Sequence, residues 1–341
     1  MEKNVKIFPE SSVTDQDIIL ADESLDEYEE YSVLFDPVNT DRKARRRKLG
    51  PRSHAPKQSD DQQIEEIAQA DALEGGFNTT YTPGRYEELW LLDSLRTFFD
   101  QALIADVLRS VKGGKEASVY CCAANPATGF DLLAAKVYRP RMFRTLRNDS
   151  LYRQGRDLLT AGGRAVKKTD HRIMRAIGKK TDFGVHVMQY SWLMHEFTSL
   201  QMLYEAGGAV PRPVAAGENA ILMGYYGDEL MAAPTLNEVD LDPDEAERHF
   251  REVVRNIELM VDHDLIHGDL SPYNMLIWDG ELVIIDFPQV THCTTNDAAY
   301  EILERDITRV REYFAAQGVA TDGPGLLERL WARYAQERMV E

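Results

Sequence analysis

The sequence predicts an α+β fold in two lobes, a small sheet-bearing lobe first and a reduced, mainly helical lobe after it. Three observations carry that expectation. Strand-like segments crowd between about residues 110 and 138 and return at Ala220-Ile221-Leu222-Met223, with one long helical pattern between them. Beyond residue 240 the apolar residues recur mostly at helical spacing. Within that helical part lies a polar loop, His267-Gly268-Asp269-Leu270-Ser271-Pro272-Tyr273-Asn274, followed by an apolar run that ends in Asp286. Two acids and an amide at an apolar strand end are expensive to bury without a metal or ligand.

The 341 residues suffice for one two-lobed domain with an appendage. A formal net charge of −18 argues against a general nucleic-acid binder, which would carry a basic face. Cys121, Cys122 and Cys293 have no metal-type spacing, and adjacent cysteines rarely pair, which suits a reducing compartment. No apolar run approaches the length of a membrane span, so no membrane partner and a cytoplasmic location are expected.

Residues 1–80 read as a largely disordered extension, acidic over Asp22–Glu30 and basic over Arg42–Lys48, with weak apolar periodicity. The first lobe is placed at 81–223. It opens with a helix from Tyr86 to Leu108, on which Leu89, Leu92, Leu95, Phe98, Phe99, Leu103 and Val107 form one face. A Gly-containing turn between strands follows over Ser110–Tyr120, and then a central strand, Leu132–Tyr138. Residues 139–188 are basic and poor in apolar period, and they read as an insertion, part helix and part mobile loop, with its mobile part at about 148–188. A helix starts near Ser191 and runs to Ala206. Pro211-Arg212-Pro213 and Gly217 then mark a turn before the strand Ala220–Met223. The second lobe, 224–341, holds a helix at Asp242–Asp264, the polar loop, and two more helices near 298–316 and 324–337.

The polar loop has the composition of a phosphoryl-transfer site. Asp269 stands where an aspartate would orient an acceptor hydroxyl and take its proton. Asn274 and Asp286 offer the hard oxygen ligands that Mg2+ prefers, with Mn2+ as a substitute. His267 is expected to pack and bond the loop backbone. Upstream, Lys136 lies on the central strand among Leu133, Ala135 and Val137, where a buried ammonium needs an anion. Glu196, beside Trp192 and Phe197 near the buried face of its helix, is the expected carboxylate partner, with Glu205 as the competing choice. The turn Lys112-Gly113-Gly114-Lys115-Glu116-Ala117-Ser118 sits where a phosphate-covering loop belongs. Its glycines let backbone N–H groups approach phosphate, and Lys115 or the Ser118 hydroxyl can add a contact. ATP is the expected nucleotide, its base against Met223 and the following Tyr225 and Tyr226.

These motifs resemble the RIO family of atypical serine/threonine protein kinases. Gly114-Lys115-Glu116-Ala117 with Val119-Tyr120 is similar to that family's phosphate loop, although Lys112-Gly113 stands in place of its opening Ser-Thr. His267–Asn274 with Met275-Leu276 is similar to its catalytic loop, and Ile285-Asp286-Phe287-Pro288-Gln289 to its metal-binding loop. The resemblance spans about residues 85–315 and implies a two-lobed protein-kinase-like fold of RIO type. It further implies transfer of the ATP γ-phosphoryl group to a protein hydroxyl, including the protein's own. It also implies an ATPase switch in which Asp286 accepts the phosphoryl group, and a ribosomal or RNA-containing partner. The 55 residues after Asp286 contain no Ala-Pro-Glu motif, so a conventional peptide-docking kinase is not expected. A small-molecule phosphotransferase resembling aminoglycoside or choline kinases fits the same loop and is the alternative reading.

Overall fold

The computed structural model describes residues 77, 79–114, 117–139, 156–159, 165–166, 170–179, 181–321 and 325–338. Almost all of the extension at 1–80, the loop residues Lys115 and Glu116, and much of the insertion at 148–188 lie outside the described residues.

Helix α1 (Arg85–Asp100) buries Leu91, Leu95 and Phe98, one face at i, i+4 and i+7. Glu87 accepts from the Gly84 N–H at its start, where a carboxylate also suits the helix dipole. The expected continuation to Leu108 does not occur. Ala102 turns the chain with a φ of 52°, and Leu103 leads directly into strand β1 (Ile104–Gly113). Leu103 and Val107 satisfy the helical count, but pairing of Ile104 with Ala124 and Val107 with Cys122 wins over it.

Strands β1, β2 (Ala117–Ala124) and β3 (Leu132–Tyr138) form an antiparallel sheet with β4 (Pro213–Ala216) and β5 (Ala220–Gly224), in the order β1-β2-β3-β5-β4. The central strand is β3, as predicted. Its alternation sends Leu133, Ala135 and Val137 into the core under α1, and turns Tyr138 to the other face. Lys136 shares that second face. The segment read as a turn between Pro211 and Gly217 instead carries β4, an edge strand with Pro213 as its first residue, where the missing N–H costs no ladder bond.

Two compact units divide the chain, Met1–Glu74 with Lys168–Val187, and Gly75–Lys167 with Met188–Glu341. In the first, α2 (His171–Gly178) is capped by the Asp170 carboxylate, which accepts from the Ile173 N–H at 3.2 Å. Helix α3 runs over Asp182–Glu205 and thus begins nine residues before Ser191, where the sequence placed its start. Thr181 caps this earlier start through the Gly184 N–H. Gly184 lies so close to α2 that a Cβ there would stand 2.4 Å from the Ala176 backbone. Capping and close helix packing fix this start, and neither leaves an apolar period to read.

In the second unit, Trp192, Leu193, Met194 and Phe197 of α3 pack on Tyr138 and Ile221 of the sheet. Helix α4 (Pro243–Asp262) starts at a capping box, Asp242 accepting from the Asp244 and Glu245 N–H groups while Glu245 accepts from the Asp242 N–H. Strand β6 (Leu265–Ile266) leads into the polar loop, which ends in a 3₁₀ turn at Pro272–Asn274. Strands β7 (Met275–Trp278) and β8 (Glu281–Ile284) form a hairpin, and β9 (Thr291–His292) returns to β6. Helices α5 (Ala299–Ala316) and α6 (Gly325–Arg338) complete the lobe within a residue or so of their predicted bounds. Its core joins Val253, Ile257, Leu270, Phe287, Ile307 and Phe314, and Leu200 and Leu203 of α3 reach into it. Among the described residues, no helix is long and apolar enough to cross a membrane.

Candidate active site

The sheet supplies the first charged group. Lys136 is flanked in register by Val119 of β2 and Ile221 of β5 and is only 8% exposed. Its ammonium meets Glu196 Oε1 at 2.5 Å and Asp286 Oδ1 at 2.6 Å. Burial by itself works against the ammonium, but Asp286 and Glu196 outweigh it and hold Lys136 protonated well above the usual lysine range. Glu196 is itself 3% exposed, and the Tyr138 hydroxyl donates to its second oxygen. Lys136 and Tyr138 are two apart on one strand face, so both reach the same carboxylate. Glu205, the competing choice, lies at the end of α3 and takes no part in this pairing.

The loops of the second lobe supply the remaining groups. Past the end of β8, Asp286 adopts a φ of 72°, a left-handed conformation that aspartate tolerates better than most residues. Burial would push its carboxyl up, but the Lys136 ammonium overrides this and holds it below the usual carboxylate range. Its side chain is 43% exposed, so one side of the acid is open to solvent. The Ile285 N–H donates to the Asn274 carbonyl at 2.9 Å, which ties the polar loop to the segment that carries Asp286. Asn274 spends its amide N–H on the Asp269 carbonyl at 2.9 Å, which leaves the side-chain oxygen as the group able to meet a cation. Among the described residues no cluster of three or more His, Cys, Asp or Glu could hold a metal. The side-chain oxygens of Asn274 and Asp286 are the hard donor type that would fit Mg2+.

His267 is 1% exposed and stacks near Phe287, ring centroids 4.7 Å apart. Its Nδ1 accepts from the Asp269 N–H at 3.3 Å, so Nε2 carries the proton and donates to the Ile285 carbonyl at 3.1 Å. Burial lowers its pKa, and a neutral bridging ring is the result. This is the packing and backbone-bonding part expected of it.

Three residues of α5 hold the loop from behind, and the sequence reading missed all three. Asp306, 2% exposed among Met260, Leu270 and Leu303, accepts from the Gly268 N–H at 2.7 Å. Burial pushes its carboxyl up to about 6. Arg305 donates to the Gly268 carbonyl, and Arg309 Nη1 lies 2.7 Å from Asp269 Oδ1. An aspartate inside the Ile302-Leu303-Ile307-Val310 stripe was the one visible signal.

At the other end of the cleft, Gly113 ends β1 opposite Ser118, and the Gly114 N–H donates to the Ala117 carbonyl at 2.8 Å, closing the turn. Ser118 is 3% exposed and its hydroxyl accepts from Arg139 at 3.4 Å, which places a guanidinium at the base of this turn that sequence reading also missed. Met223 is half-buried between the core clusters. Arg109 binds the Tyr225 hydroxyl, and the Gly224 N–H and the Tyr226 carbonyl are taken by Arg212 and Ala233.

A family model described as the RIO domain matches residues 159–324. The RIO-type serine/threonine-protein kinase Rio1 of Haloferax volcanii is 31% identical over 250 residues, 68% of this chain and 76% of that protein. The chain belongs to the RIO family. The serine/threonine-protein kinase RIO1 of Chaetomium thermophilum, a longer RIO protein, is 30% identical over 231 residues, which span 64% of this chain and 41% of that one. The crystal structure of the Rio2 kinase–ADP/Mg2+–phosphoaspartate complex from the same organism aligns with a TM-score of 0.51 at 19% identity, covering 82% of this chain and 76% of that chain. That likeness is one of fold, and the two-lobed kinase-like α+β architecture is the RIO fold.

Proposed function

We propose that this RIO protein is an ATP- and Mg2+-dependent serine/threonine kinase whose site is formed by Lys136, Glu196, Asp269, Asn274 and Asp286. The observation that carries the reading is the convergence of Lys136 on both Glu196 and Asp286. A buried ammonium held between two acids, one of them open to solvent, is arranged to take nucleotide phosphate in exchange for Asp286. Gly113, Gly114, Ala117 and Ser118 cover the β- and γ-phosphates. Met223, Tyr225 and Tyr226 border the base. Asn274 and Asp286 would hold Mg2+, which would supply neutralisation of charge building on the phosphates.

In the transfer step Asp269 takes the proton of an acceptor Ser or Thr hydroxyl. The freed oxygen bonds to the γ-phosphorus, the bond to the bridging β,γ-oxygen breaks, and ADP leaves. The acceptor is a protein hydroxyl, including one on this chain. In a second course a carboxylate oxygen of Asp286 bonds to the γ-phosphorus as the bond to the bridging β,γ-oxygen breaks and ADP leaves. Water later cleaves the acyl phosphate to inorganic phosphate and the free carboxylate, so that ATP is hydrolysed. The Rio2 complex supports this course, since its described state contains a phosphoaspartate. Buried, unpaired thiols at Cys121, Cys122 and Cys293 suit the cytoplasm.

The test is incubation with γ-labelled ATP and Mg2+. Label on Ser or Thr should be acid-stable and should fall by about 10²- to 10⁴-fold in Asp269→Ala. Label on Asp286 should be released by hydroxylamine and be absent from Asp286→Asn. Unchanged turnover in both variants overturns the assignment.

A further inference from the structure

Asp269 Oδ2 lies 3.5 Å from Asn274 Nδ2, a contact too long to fix a side chain that is 41% exposed. Its other oxygen lies 2.7 Å from Arg309 Nη1. Arg309 sits on α5 one turn beyond Arg305 and Asp306, on the same helix face. Those two grip the carbonyl and the N–H of Gly268, the residue before Asp269. The helix is anchored in the core by Ile302, Leu303, Ile307 and Val310. A rigid element thus holds the loop backbone at two atoms and the Asp269 carboxylate at a third.

We propose that Arg309 is the positioning residue of this site, holding Oδ1 of Asp269 so that Oδ2 faces the acceptor hydroxyl. The inference rests on the reading of Asp269 as the group that takes the acceptor proton. A guanidinium is always charged and presents a planar fork of donors, so it binds one carboxylate oxygen in a defined plane. As the acceptor O–H bond breaks, its proton goes to Oδ2 and the Oδ1–Arg309 contact persists. Arg309 neither gains nor loses a proton. A residue acting this way affects the transfer step and leaves nucleotide binding alone, because its partner lies on the acceptor side of the site.

The experiment is a double-mutant cycle on the full chain, with Arg309→Met, Arg309→Lys, Asp269→Asn and the Asp269→Asn/Arg309→Met pair. The readouts are kcat and KM for γ-phosphoryl transfer, binding of a fluorescent ADP, and thermal melting. Arg309→Met should lower kcat by about 10- to 100-fold with KM for ATP and ADP binding within about twofold of the parent. Arg309→Lys should recover part of the loss, since it restores charge without the fork. In the Asp269→Asn background Arg309→Met should cost nothing further. Should Arg309→Met melt well below the parent, the same cycle with Arg309→Lys decides by the same non-additivity. A parental kcat in Arg309→Met overturns the proposal, and so does an equal further loss in the Asp269→Asn background. Full transfer activity in Asp269→Asn would instead overturn the reading of Asp269 itself.

Discussion

Asp286 Oδ1 stands 2.6 Å from the Lys136 ammonium, so this loop acid of the second lobe is a counter-ion of the sheet lysine. Glu196 is the other, at 2.5 Å, and the two acids are not equivalent. Glu196 is 3% exposed, whereas the Asp286 side chain is 43% exposed. The buried acid depends on Lys136 for its solvation, and the open one can give Lys136 up to another anion.

Lys136→Met should therefore destabilise the fold by about 3 kcal/mol, because it leaves Glu196 charged and buried with only Tyr138 as donor. Glu196→Gln should cost less, since Lys136 keeps Asp286. Urea denaturation of the two variants checks the order. Equal costs below about 0.5 kcal/mol would mean that the pair contributes no more than an exposed one does.

Asp306 gives a pH signature. Its folded pKa of about 6 lies above the ordinary 3.8, so the native state binds the proton more tightly than the unfolded chain. Its contribution to stability is complete below the ordinary value and is lost as pH rises through 6. Asp306→Asn keeps an acceptor for the Gly268 N–H and removes the titration. Between pH 7 and pH 4 the stability of the parent relative to this variant should rise by about 2 kcal/mol. Parallel denaturation curves across that range would contradict the raised pKa.

Gly268 is the loop position least open to change. Its φ is 86°, and a Cβ would stand 2.4 Å from the Gln289 carbonyl oxygen, a backbone atom that cannot swing away. Gly268→Ala should cost more than the roughly 1–2 kcal/mol of the left-handed conformation alone. It should also lower transfer activity, since Asp269 follows directly. Thermal melting and labelled transfer check the two effects, and a native melting temperature would show that the loop shifts at little cost.

Asn274→Ala should weaken Mg2+ use at the site by about tenfold or more, by loss of one oxygen ligand and of the bond to the Asp269 carbonyl. Titration of ADP binding against Mg2+ reads the first loss. An unchanged Mg2+ midpoint would remove Asn274 from the proposed ligand set.

Lys136 with its two acid partners, and the bonded pair Asp269 and Asn274, were legible because each stood in a pattern set by local physics. Lys136 interrupts an apolar strand, Glu196 lies near a buried helix face, Asp269 and Asn274 fall within one polar loop, and Asp286 follows the apolar strand β8. The helices α4, α5 and α6 were legible for the same reason, since a one-sided core writes a 3.6-residue period into the chain. Edge strand β4 and the first nine residues of α3 were not, because a proline-led edge strand and a helix start fixed by Thr181 and Gly184 leave no such period.

The sequence by itself determined the fold and the two loops that carry Asp269, Asn274 and Asp286. The tertiary structure alone decided what holds them. Arg305, Asp306 and Arg309 stand some forty residues from the loop they grip, and Tyr138 and Arg139 reach their partners only across the folded sheet and turn. No local period encodes contacts between such distant segments. They exist because the apolar faces of α5 and the sheet pack where they do, and so bring buried donors and acids to groups that water no longer reaches.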